Sequence, residues 1–166
     1  MKLLLNKTVF FLLVLVLIGL GCKTTEEAKY PDISGSWEID IKWNKEIVGM
    51  PGASHSMKNV ENIPAKITRN EGNLSIEINT TGTGFSINPL IMTGTIDMDG
   101  NFVLDVKFEQ TEKKTHLVAN MHLVGKITGS NQFRGAQISY SFEVTFKGKP
   151  FMKGTINGTM DGDKVN

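Results

Sequence analysis

The sequence has one cysteine, five prolines, three histidines and two tryptophans in 166 residues. A lone Cys22 excludes an intrachain disulfide and any metal site built from several thiolates. Eighteen basic against seventeen acidic residues leave a net charge of +1, so composition gives no reason to expect nucleic acid or an anionic surface as partner. No segment repeats its apolar residues at the 3.6 spacing of an amphipathic helix, which argues against a bundle or a βαβ fold. The longest purely apolar run, Val9 to Ile18, is well short of the roughly 20 residues that span a bilayer.

What the first residues do contain is ordered. Lys2 and Lys7 give positive charge, the apolar run follows, and Gly19-Leu20-Gly21 brings small residues just before Cys22. Charge, short apolar stretch and small residues make a signal peptide over 1–21. Gly21-Cys22 resembles the lipobox of bacterial lipoproteins. That resemblance implies cleavage before Cys22, a diacylglycerol on its sulfur and a further acyl chain such as palmitate on its amino group. One buried chain holds weakly and two or three hold firmly, at about 0.8 kcal/mol per methylene. The implied partner is therefore a bilayer, held through lipidated Cys22. Lys23 rather than Asp follows the cysteine, which in the lipoprotein sorting rule implies the outer membrane of the cell envelope. The remaining 145 residues carry a net charge of −1, since the removed piece holds two lysines and no acid. They make one domain of ordinary size.

Residues 22–32 read as the lipidated cysteine with a polar tether, and the pattern changes at Ile33. Trp37, Ile39, Ile41 and Trp43 alternate with Glu38, Asp40 and Lys42. Leu74 to Ile78, Phe102 to Phe108 and Ile138 to Phe146 alternate in the same way. Period two with one apolar face is the antiparallel pattern. The turn-rich segments 69–73, 97–101 and 128–132 join such stretches as hairpins. Strands are expected at 35–43, 63–69, 74–80, 90–97, 102–109, 116–127, 133–146 and 151–160.

A small residue followed two positions later by a large apolar one recurs at Gly35/Trp37, Ala65/Ile67, Gly94/Ile96, Gly125/Ile127 and Gly154/Ile156. The near-constant interval of 29 to 31 residues suits an up-and-down strand pair. Small inward residues let a strand bend or another backbone approach. Eight antiparallel strands in an open sheet would leave two bare edges, and closure removes them. The expected fold of 33–166 is therefore all-β, an eight-stranded antiparallel up-and-down barrel, with a two-sheet β-sandwich as the alternative.

Gly35-Ser36-Trp37, opening the first strand ahead of a long connection, resembles the G-x-W motif of lipocalins and related calycins. The resemblance implies a lipocalin-like barrel with an apolar calyx for small hydrophobic molecules. Some bacterial members are outer-membrane lipoproteins.

No residue set reads as catalytic, so the chain is expected not to be an enzyme, and no cofactor is implied. His116 and His122 share a strand face but stand six residues apart, roughly 20 Å, too far to share one metal. His55, flanked by Ser54 and Ser56, lacks any nucleophile-elbow context. Asp97, Asp99 and Asn101 lack the glutamate of a calcium loop and read as a turn. The inward apolar set remains as the candidate ligand-binding site: Trp37, Trp43, Met92, Phe102, Leu104, Met121, Tyr140, Phe142 and Met152. Arg134 shares strand parity with Ile138 to Phe146 and is expected inward at the rim, where it would pair with a carboxylate. Two functions follow from these readings. One is an anchored module carrying an apolar small molecule; the alternative is a solid barrel that binds a macromolecule or inhibits a protease through its loops. The segment 44–62, with Ile47, Val48, Met50 and Pro51, is the expected contact for a protein partner.

Overall fold

The computed structural model describes residues 29–44, 58–83 and 87–165. The expected signal peptide at 1–21, the expected lipidation site Cys22 and most of the 44–62 connection therefore lie outside the described residues. Eight strands run in chain order: β1 (Gly35–Trp43), β2 (Val60–Asn70), β3 (Asn73–Ile78), β4 (Leu90–Ile96), β5 (Asn101–Glu112), β6 (Thr115–Lys126), β7 (Gln132–Phe146) and β8 (Lys149–Lys164). Each pairs antiparallel with its sequence neighbours, and β1 pairs with β8 from Trp37↔Lys164 to Trp43↔Gly158. That last pairing closes an up-and-down barrel and excludes the two-sheet sandwich.

Alternation decides which side chains face in. Trp37, Ile39, Ile41, Ile67, Leu74, Ile76, Ile78, Met92, Phe102, Leu104 and Leu123 are all essentially inaccessible. Each such side chain contributes about 1.5–3 kcal/mol by leaving water. Two small residues of the repeat prove structural. A Cβ at Gly94 would run into the Val103 carbonyl. One at Gly125 would stand 2.5 Å from Phe102 Cζ and 2.6 Å from Ala136 Cβ. The interval marks alternate strands β2, β4, β6 and β8; the first member differs, because β1 and β2 are adjacent and their long connection makes up the length.

Two bulges displace the simple alternation. Glu61 and Asn62 together oppose Asp40, with Asn62 in the left-handed region at φ 55°. Asp40 Oδ1 accepts from the Asn62 N–H at 2.8 Å. The bulge interrupts the period, and β2 begins at Val60, three residues before the expected start. On β7, Arg134 and Gly135 together oppose Asp161, with Gly135 at φ 62°. An extra residue reverses the parity of everything beyond it.

One end of the barrel is closed. It carries the turns 71–72, 97–100 and 127–131 and receives the chain at Tyr30 to Ser34. Ile33 is fully buried there, and its carbonyl accepts from Trp37 Nε1–H at 2.9 Å. Tyr30 lies under the Arg69 guanidinium, 5.8 Å from ring centroid to Cζ.

Candidate ligand-binding site

Strand length sets the shape of the other end. β3 and β4 have six and seven residues, whereas β5 to β8 have twelve to sixteen. β4 pairs with β5 only from Thr93↔Asp105 to Ile96↔Phe102. β5 then continues to Glu112 with β6 as its partner, and the β7–β8 hairpin continues beside them. Four strands thus project past the closed part as a curved sheet. Its inward face has no facing strand among the described residues.

The interior accordingly has two zones. Near the closed end it is lined by fully buried apolar side chains, and Phe133 packs against Trp37 and Phe102 with ring centroids 5.7 and 5.6 Å apart. Along the projecting sheet the same apolar periodicity persists, but Val106, Phe108, Leu117, Tyr140, Phe142 and Val144 are only half-buried. Tyr140 is central there. Its ring lies 5.7 Å from Phe142, 6.3 Å from Phe108 and 6.5 Å from Trp43. Burial raises its phenol above the ordinary tyrosine value. Further out the concave face opens into a hollow of about 800 Å³ floored by Leu117 and Phe146 and edged by Gln110, Lys113 and Lys114. A smaller, more polar depression of about 340 Å³ sits on the sheet around Asn120, Ser141, Glu143 and Lys153.

The sequence-derived candidates divide between these zones. Trp37, Met92, Phe102, Leu104 and Met121 are at most 1% exposed and belong to the packed zone. Trp43 is 7% exposed and stands at the boundary. Tyr140, Phe142 and Met152 line the open concave face. Arg134 is a correction. The bulge at 134–135 turns it to the outside near the closed end, where it pairs with Asp163 and donates to the Phe133 and Gly162 carbonyls at 3.0 and 2.9 Å. Parity counted from Ile138 pointed it inward because the count passed through an unseen extra residue.

Val106, Phe108, Leu117, Val144 and Phe146 line the same concave face and are not among the sequence-derived candidates. They sit on alternating stretches already legible as strands. The available signal was length: an alternating run twice as long as its neighbours must leave part of one face uncovered.

The remaining polar groups explain themselves as surface structure. His122 Nδ1 lies 2.7 Å from Asp105 Oδ1 across β5–β6, and His116 Nδ1 lies 2.8 Å from Thr111 Oγ1. Asp97 accepts from the Asn101 backbone and side-chain N–H groups, both at 2.8 Å, in the expected turn. His55 lies outside the described residues.

The fold and site together define an eight-stranded antiparallel barrel with a closed end packed with buried apolar side chains and a half-buried apolar face at the open end. No protein-family model, curated protein or solved structure matches the chain.

Proposed function

We propose that this chain is a lipid-anchored cell-envelope lipoprotein that holds a small hydrophobic ligand at the open end of a lipocalin-like barrel. The observation that carries the reading is the half-buried aromatic face of Phe108, Tyr140 and Phe142 above a filled core. Water-exposed apolar surface of this extent is costly to leave bare, and a concave one suits a guest better than a flat partner. The site differs from the calyx expected from the G-x-W resemblance: the ligand sits on the projecting sheet, and Trp37 supports the floor from below. Anchoring rests on the sequence before the barrel, the signal-like run ending in Gly21-Cys22. The outer membrane is the proposed location, binding rather than catalysis the proposed role.

A second reading keeps the barrel as a solid interaction protein acting through its open end. It is favoured by the packing of Trp37, Phe102 and Phe133 against one another inside the lower half of the barrel.

The test uses the chain from Lys23 onward, since every strand of the closed barrel lies within residues 29–165. Native mass spectrometry of the purified protein is expected to show an added amphiphile mass, lost in Phe142→Glu. A bare mass, with no uptake of added palmitate, overturns the ligand and leaves the second reading. For the anchor, Cys22→Ser in the full chain is expected to abolish labelling by radioactive palmitate; unchanged labelling overturns it.

A further inference from the structure

The tips of the two long hairpins lie side by side at the open end, tied by the Lys147 N–H donating to the Lys114 carbonyl at 2.8 Å. This contact gathers four lysines from separate parts of the sequence: Lys113 and Lys114 on one tip, Lys147 and Lys149 on the other, while Lys153 lies further down β8 opposite Glu143. Glu112 is the only acid within residues 112–115 and 146–149. The whole chain carries only +1, so this local excess of positive charge is not visible in the composition.

Among these lysines stand two exposed aromatics. Phe151 is 71% exposed and Phe146 45%, with ring centroids 6.5 Å apart. The Phe151 exposure is built into the backbone. Val144 pairs with Met152 but Thr145 with Pro150, so Phe151 is the extra residue of a bulge and is held away from the sheet. Lys147 Nζ stands 5.4 Å from the Phe146 ring centroid. The core has abundant apolar side chains of its own, so stability does not require a phenylalanine at this tip.

We propose that the paired tips form a docking surface for an anionic lipid bilayer. The lysines meet the headgroup charge and Phe146 and Phe151 enter the interfacial region, the combination of attraction and apolar insertion that gives peripheral binding. The surface lies roughly 40 Å along β7 from the closed end where the chain enters. It is thus a contact separate from any anchor at Cys22; Lys113, Lys114 and Phe146 also border the hollow of the concave face, whereas Lys147, Lys149 and Phe151 lie outside it. An acidic polymer would also be drawn to the lysines, but it would have no use for the aromatic pair.

The experiment is co-sedimentation of the chain from Lys23 onward with vesicles. One set is phosphatidylcholine alone; the other mixes it about two to one with phosphatidylglycerol. Binding is expected to the anionic vesicles only, and to fall away near about 1 M salt, where the Debye length is about 3 Å. Lys147→Gln/Lys149→Gln is expected to weaken partitioning about thirtyfold, from about tenfold to thirtyfold being the range for two interfacial lysines. Phe151→Ser is expected to weaken it several-fold with all charges retained. Both variants change exposed tip residues, and unaltered thermal unfolding confirms that the barrel persists. Equal binding to neutral vesicles, or none to anionic ones, overturns the proposal. So does a Phe151→Ser variant that binds undiminished, which would assign the lysines to an acidic polymer.

Discussion

Phe133 on β7 reaches Trp37 on β1 across Gly162 of the intervening strand, with the two ring centroids 5.7 Å apart. A Cβ at Gly162 would stand 2.5 Å from Phe133 Cζ, so the absent side chain is what lets the two aromatics meet over the β8 backbone. Phe133→Ala is expected to cost about 3–5 kcal/mol and Gly162→Val about 1–3 kcal/mol in urea unfolding. The double variant should cost clearly less than the two together, because valine fills space that the ring vacates. Additive losses would show that Gly162 serves some other need.

Trp37 also carries the link to the entering chain. Its indole N–H donates to the buried Ile33 carbonyl. Trp37→Phe keeps an apolar ring but strands that carbonyl, a loss of about 1–3 kcal/mol. Amide exchange should quicken at Ile33 and Ser34 before the strands are affected. Uniform acceleration throughout the barrel would argue against a local role.

Arg134 is placed by the bulge on the outer surface, with its charge stabilised chiefly by the hydrogen bond to Asp163. Arg134→Met is expected to lower stability by about 1 kcal/mol, less at high salt. Amphiphile loading measured by mass spectrometry should not change. A loading defect in a folded Arg134→Met variant would return this residue to the ligand site.

Tyr140 reports the open face through its titration. Burial raises its phenol, so the neutral form is favoured by folding. This contribution is complete below the unfolded-state value near about 10 and disappears as pH rises through the higher folded value. In a Tyr30→Phe background Tyr140 is the only tyrosine, and absorbance near the phenolate band isolates it. Its midpoint should lie above that of a free tyrosine and rise further when palmitate is added. An ordinary midpoint indifferent to palmitate would remove Tyr140 from the site.

Asp97 titrates in the opposite sense. The Asn101 side-chain amide holds its carboxyl below the ordinary value, so this stabilisation is present above that value and is lost as pH falls through the folded one. Asn101→Ala should move the Asp97 carboxyl midpoint upward in an NMR titration while leaving the neutral-pH fold intact. An unmoved midpoint would mean that the turn backbone alone sets it.

Alternation told which face of each strand is apolar, and this was enough to set the strand count and the barrel. The eight expected strands all form, because period two with one wet face leaves an antiparallel sheet little choice but to cover its greasy side and its edges. Gly94 and Gly125 were legible for the same reason: a small residue on the inward parity signals that something else occupies its space.

What the linear order could not determine depends on register. Arg134 changed sides because one extra residue at a bulge inverts parity, and nothing in Gln132 to Ala136 announces the insertion before the pairing with β8 is known. The open concave face arises from β5 to β8 outrunning β3 and β4, a comparison between strands and not a property of any one of them. The lysine cluster likewise exists only because two hairpins separated by some thirty residues end side by side. Local patterning fixed the faces of the strands; the alignment of one strand against another decided what those faces meet, and the function proposed here rests on that alignment.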